Sequence, residues 1–222
     1  MTLRRRQARA SAALAGLAAG WALGASPAAA HPHIWVETRT EIVFDDAGRV
    51  TAIAHAWTFD EANSASMVFG LDANGDGRYA RDELAEMAEL NATSLGDFGY
   101  FTYLVADGDD QAFAAPKDYF LTHDGTALTL HFTLPLESPT RADTALVLEV
   151  YDPEFYISFR MADGDDAVAL AGSPEGCAID VSRAAEVRLD QFVNLSEAFF
   201  EAITATESLG VDIVNRALVA CP

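Results

Sequence analysis

Cations are scarce in this sequence. Its 222 residues hold 14 Lys and Arg against 34 Asp and Glu, a formal net charge of −20 at pH 7. A surface of that sign repels nucleic acid and anionic bilayers and attracts cations. Long apolar runs are also lacking: residues 10–24 form a short Ala/Leu/Gly stretch, broken by glycine, that falls short of a membrane span. Cysteine is confined to Cys177 and Cys221. Internal repeats, linkers and low-complexity tracts are absent, so the chain divides no further than one domain with a small insert. No Ser/His/Asp arrangement and no flat aromatic platform stands out, and we expect no enzyme.

What is present begins with a leader. Arg4, Arg5, Arg6 and Arg9 precede the apolar stretch, and Ala28-Ala29-Ala30 supplies the small residues that a signal peptidase prefers. Residues 1–30 are therefore expected to be a signal peptide and 31–222 a single exported domain. No cysteine follows the cleavage point, so no lipid anchor is expected. Cleavage removes four arginines and no acid, taking the net charge from −20 to −24. An isolated cysteine pair in an exported chain reads as a disulfide, with thiolate metal ligation as the alternative. The bond would close a loop of roughly 45 residues, worth about 4 kcal/mol in the chain-entropy model.

Strand patterns fill the first third. In 34–44, Ile34, Val36, Ile42 and Phe44 share one face, and Glu37, Arg39 and Glu41 the other. After the turn at 45–48, Ile53, His55, Trp57 and Phe59 share a face, which predicts a hairpin with one side buried. Residues 60–97 switch to helical spacing around a polar loop. Further strands are predicted at 100–106, in a hairpin about Asp124-Gly125, at 142–152, 154–162, 166–170 and 216–221, with a helix over 189–210 ended by Gly210. The expected fold is α+β: a mainly antiparallel β-sheet domain with an EF-hand-like helix-loop-helix insert at 60–97 and a C-terminal helix.

The insert holds the strongest local signal. "DANGDGRYARDE", 72–83, matches the calcium-loop pattern D-x-[DN]-x-[DN]-G-x5-E. Asp72, Asn74 and Asp76 would offer side-chain oxygens, Arg78 its carbonyl and Glu83 both carboxylate oxygens, with Gly77 making the sharp turn. A hard cation needs several oxygens at once, and alternate residues of a tight loop point inward. The ion expected is Ca2+, bound weakly and structurally. The bland alternative is an Asp/Gly turn that binds nothing.

The histidines form a second candidate. Cleavage before His31 would expose "HPH", bringing the α-amine and ring of His31 and the ring of His33 within reach of one metal. Imidazole suits zinc, copper, nickel and iron. Pro32 has no N–H and blocks a square-planar site built on successive amides. Hairpin register places His33 near Asp60 and Glu61, which become further ligand candidates. His55, on an apolar face, is either a core histidine or a ligand. His123 and His131 lie on neighbouring strands and could complete a site.

These blocks, "AHPHIWV", "WTFDE" at 57–61, the Asp/Gly loop with its "DEL" exit, "YFTYL" at 100–104, "VYDP" at 150–153 and the cysteine near the C-terminus, together resemble the domain of unknown function 1007 family over the whole mature chain. The resemblance implies a periplasmic accessory protein of divalent-metal uptake or homeostasis, for Zn2+ or Ni2+/Co2+, partnered with an inner-membrane metal permease. It carries "HPH" onto His31 and His33 and implies no enzymatic activity. The alternative is a calcium-stabilised interaction module that docks on the permease without binding the transported metal.

Overall fold

Alternating side chains and a tight turn begin the fold. Strand β1 (Ile34–Phe44) pairs antiparallel with β2 (Val50–Phe59). Asp45 closes the turn between them, its Oδ1 accepting from the backbone N–H of Ala47 (3.0 Å) and Arg49 (2.9 Å). Phe44 faces Val50, but a shift at Val43/Phe44 moves the rest of the register, so Val36 faces Phe59. The computed structural model describes residues 33–141, 145–183 and 214–221. The expected signal peptide, His31 and the expected helix at 189–210 lie outside the described residues.

Two sheets follow from these strands. In the first, β2 pairs with β6 (Leu128–Thr140), and β6 with β5 (Lys117–His123), all antiparallel. On its other side β1 takes two parallel partners in succession: β8 (Ile157–Met161) along 34–38, then β9 (Val168–Ala171) along 40–43. The second sheet runs β10 (Ala178–Ser182), β11 (Asn215–Ala220), β7 (Leu146–Val150), β3 (Thr102–Ala106) and β4 (Asp109–Asp110). Ile42, Ile53, Met161 and Val168 from the first sheet meet Leu104, Leu146, Leu148 and Val219 from the second in one buried cluster. The disulfide Cys177–Cys221 joins the ends of β10 and β11 across a separation of 44 residues, as the cysteine pair predicted.

The expected α+β class is overturned. The described residues are mostly strand, arranged as two sheets, with two short α-helices, α1 (Glu61–Met67) and α2 (Ala85–Ser94), and a 3-10 turn over Leu95–Phe101. The EF-hand-like helix-loop-helix at 60–97 is not formed. Helix α1 is capped by Asp60 and stops at Met67, residues 68–71 separate it from Asp72, and 81–84 is a turn before α2 starts. Gly70 at φ +83° takes the chain out of helical geometry where a longer helix would continue. The apolar residues that suggested a longer helical insert serve another purpose. Leu84 and Ala88 are buried in a second cluster with Trp57, Leu121, Leu128 and Leu130 of the first sheet, which Val150 of the second sheet also joins. Buried Ser64 fastens α1 to that sheet, donating to the Phe59 carbonyl (3.1 Å) and accepting from Leu128 N–H (3.0 Å).

Candidate cation loop and the scattered histidines

The loop at 72–83 is organised by its own carboxylates. Asp72 Oδ1 accepts from the N–H of Gly75 (2.8 Å) and Asp76 (3.1 Å), and its Oδ2 from Gly77 (2.9 Å). Asn74 Oδ1 accepts from Asp76 N–H and Asp76 Oδ1 from Arg78 N–H, both at 2.8 Å. Glu83 reaches back across the loop: its Oε1 accepts from Ala73 (3.0 Å) and Asn74 (3.3 Å), and its Oε2 from Ala80 (2.8 Å). Gly75 and Gly77 adopt φ of +73° and +77°, the left-handed conformations that this sharp winding needs. The first and last acidic positions of the motif thus share one small loop. Every donor is a hard oxygen, which suits calcium and excludes a soft metal. Each side chain is turned onto a backbone N–H, and among the described residues no three His, Cys, Asp or Glu side chains converge on a point.

Two contacts that local motif reading missed dock this loop on the β5–β6 hairpin. Tyr79 meets the ring of His123 edge-on, with centroids 4.9 Å apart. The Arg81 guanidinium lies 3.5 Å over the Phe120 ring, and Phe120 stacks on His131 at 4.4 Å. His131 Nε2 also contacts Thr122 Oγ1 (3.1 Å). Partial burial, with Arg81 as a second cause, pushes the His131 pKa below its ordinary value. His123 Nδ1 accepts from Gly125 N–H (3.1 Å) in the hairpin turn. The signal for these contacts was present in the aromatic and cationic residues at loop positions 8 and 10, but their partners lie some forty residues on.

His55 is a core histidine. It is 4 % exposed, and both ring nitrogens are engaged. Thr102 Oγ1 donates to the Tyr100 carbonyl (2.8 Å), so it can only accept from His55 Nε2–H (3.1 Å). Nδ1 is then the acceptor, taking the proton of Thr40 Oγ1 (3.0 Å), and Thr38 Oγ1 donates to Thr40 (3.4 Å). This assigned tautomer follows from the network. The chain of hydroxyls crosses from β1 and β2 to β3 in the other sheet. Burial pushes the His55 pKa down to about 3, so the ring is neutral, and both of its nitrogens are already committed to threonine hydroxyls.

The remaining candidates are also apart. The His33 ring packs against Tyr156, centroids 4.9 Å apart, while the backbone N–H of His33 donates to the Tyr156 carbonyl (2.9 Å). The register expectation placed His33 near Asp60, and its carbonyl does accept from Asn63 Nδ2 (3.2 Å), which also donates to Asp60 Oδ2 (2.6 Å). Asp60 is spent on structure: it caps α1 through Asn63 N–H (3.0 Å) and accepts from Trp35 N–H (3.1 Å). Burial raises its pKa, but these hydrogen bonds outweigh burial and hold it below the usual carboxylate value. Glu61 is exposed in the first turn of α1. His33, His55, His123 and His131 therefore occupy separate environments. No helix among the described residues is long and apolar enough to cross a membrane.

Comparison with known proteins agrees with the resemblance. An uncharacterised 15.5 kDa protein in the trpE 3′ region of Spirochaeta aurantia is 26 % identical over 119 residues, covering 49 % of this chain and 85 % of that protein. The family described as "Protein of unknown function (DUF1007)" matches residues 16–221. With nearly its whole length covered, this chain belongs to the DUF1007 family.

Proposed function

We propose that this protein is an exported, calcium-braced interaction module that works outside the cytoplasm, beside a membrane permease of the kind the family resemblance implies. The observation that carries this reading is Glu83, whose carboxylate spans the loop back to Ala73 and Asn74 while Asp72 gathers Gly75, Asp76 and Gly77. The motif's terminal ligands are thereby held in one loop, and that loop rests on the first sheet through Tyr79 and Arg81. The role is structural. An ion there would hold the turn between α1 and α2 in place, and with it the surface that α2 presents. The disulfide and the leader-like N-terminus support export to an oxidising compartment such as the periplasm.

Calorimetry of Ca2+ on the mature protein tests this. We expect one site with a Kd of the order of 10⁻⁴ to 10⁻³ M. About 10 mM Ca2+, 100-fold over the tighter of those values, would then stabilise the fold by about 2.7 kcal/mol. Asp72→Asn combined with Glu83→Gln abolishes both effects. No heat of binding and no shift in thermal midpoint would reject the reading. Titration with Zn2+ and Ni2+ under saturating Ca2+ addresses delivery of a transition metal. A site tighter than about 1 mM, lost in His31→Ala, would favour a metal carrier instead.

A further inference from the structure

Resting on the interaction-module reading above, we propose that a groove beside α2 is the docking site for a basic, apolar peptide segment of a partner protein. The groove encloses about 490 Å³ and is walled by Leu90 and Leu95 from the helical side, Phe98 and Phe101 from the 3-10 turn, and Tyr156 and Ile157 from the start of β8. Its rim is unusually apolar for a surface: Leu90 is 65 % exposed, Phe98 59 % and Tyr156 48 %. Singly exposed apolar residues are ordinary, but a group of them around one concavity marks an interaction site.

The backbone there is held in uncommon conformations. Gly99, Tyr100 and Phe101 follow one another at φ of +60°, +57° and +47°, and Phe155, next to Tyr156, is at +54°. Bulky residues adopt left-handed geometry at a cost, and such strain collects where a shape is needed for function. Here the left-handed run places Phe101 beneath the groove and leaves Phe98 above it, their rings stacked 5.5 Å apart at an interplanar angle of 15°.

Charge identifies the occupant. No Lys or Arg occurs from residue 82 to 116, a span that supplies α2 and the 3-10 turn and carries eight Asp and Glu. None occurs from 142 to 159, which supplies the opposite wall. Of the acids at the groove, Asp152 is buried and spent on its own turn, accepting from the N–H of Glu154 and Ile157, both at 2.9 Å. Glu154 is exposed at the rim. An apolar cleft with Glu154 on its rim, built from segments that carry acids and no cation, selects an apolar segment bearing Lys or Arg and repels an anionic bilayer.

The test uses the mature, disulfide-intact protein and a labelled 20-residue amphipathic Leu/Lys peptide, read by fluorescence anisotropy. Two comparison peptides are a Leu/Glu counterpart and residues 189–210 of this chain, which contain apolar positions and acids but no cation. We expect saturable binding of the Leu/Lys peptide alone, weakened at least about 10-fold by Phe98→Ala and several-fold by Glu154→Lys. Glu41→Lys, on the outward face of β1, makes the same charge change elsewhere and should leave affinity unaltered. Both tested side chains are exposed, so near-UV circular dichroism should match the wild type. The proposal is overturned if Glu41→Lys and Glu154→Lys weaken binding equally, if Phe98→Ala has no effect, or if the 189–210 peptide binds as tightly as the basic one. Calcium calorimetry on the same samples keeps the two readings apart. Calcium binding without groove-dependent peptide binding overturns the docking site alone, and peptide binding without calcium leaves the groove standing and removes the calcium brace.

Discussion

Replacing His55 by Gln should flatten the acid side of the stability curve. The ring is buried between the sheets, and its neighbours Thr40, Thr102, Trp57 and Phe132 carry no charge. Protonation would strand a cation there and break the acceptor role of Nδ1, and burial accordingly pushes the pKa from 6.5 down to about 3. The sign is that of a depressed folded-state pKa. Stability is full above the unfolded value near 6.5 and is lost as pH falls toward the folded one, because the unfolded chain takes up the proton first. Each pH unit inside that window costs about 1.4 kcal/mol. Between pH 7 and pH 5 this single group should lower the unfolding free energy by roughly 2 kcal/mol. The lowered carboxylates, Asp45 and Asp60 among them, respond at more acidic pH. Gln keeps one donor for Thr102 and one acceptor for Thr40 and does not titrate. Urea unfolding at pH 7 and pH 5, with Ca2+ held constant, should show His55→Gln losing most of the wild-type pH dependence, with His131 supplying a smaller remainder of the same sign. An unchanged slope in the variant would falsify the assignment of His55 as the buried neutral group.

Two further perturbations probe how the sheets are held together. Asn215→Ala removes an amide that accepts from Met161 N–H (2.9 Å) and donates to the Phe159 carbonyl (2.8 Å), both across to the other sheet. Leaving those groups unpaired in a buried site should cost about 2–4 kcal/mol in denaturant unfolding, and a loss under 1 kcal/mol would refute the bridging role. Cys177→Ala with Cys221→Ala should cost about 4 kcal/mol by loop entropy. Reduction of the wild type should reproduce that loss, and insensitivity of the unfolding midpoint to reductant would refute it.

Local patterns in this chain were legible, and long-range ones were not. The β1–β2 hairpin follows from alternation across Asp45-Asp46, and β5–β6 from alternation across Asp124-Gly125. The acidic loop was legible because its spacing is contained within twelve residues. The helical insert was misjudged because Leu84 and Ala88 need only one turn or two of helix to cover the first sheet. Parallel pairing of β1 with β8 and β9 joins segments more than a hundred residues apart, and no turn announces it. The irregularity at Val43/Phe44, which shifts the register along the rest of β1, has no signature in the alternation. The role of His55 is decided by Thr102, 47 residues away. The groove is harder still: left-handed Tyr100 and Phe101 carry no glycine signal, and its other wall comes from Tyr156.

The docking of the loop on the hairpin yields a last prediction, which links the cation site to the sheet. Arg81 lies on one face of Phe120 and His131 on the other. A cation–π contact at an exposed site contributes about 0.5–1 kcal/mol, and a stacked pair a similar amount. Those contacts order the second half of the loop, which carries Glu83, before any ion arrives. Removing them moves the ordering cost onto the binding step. Phe120→Leu keeps an apolar strand residue but removes the π-face, and it should weaken Ca2+ binding about 3- to 10-fold in calorimetry, since about 1.4 kcal/mol corresponds to a factor of ten. Arg81→Met should act in the same direction by removing the cation while keeping the stem. Acid should do so as well, because a protonated His131 sets a positive charge across the ring from Arg81. Burial and Arg81 both lower the His131 pKa, so that loss belongs below the ordinary histidine range. If Phe120→Leu leaves the calcium affinity unchanged while the fold is intact, the loop is organised by its own hydrogen bonds alone. The hairpin is then a neighbour of the site and has no share in its preorganisation.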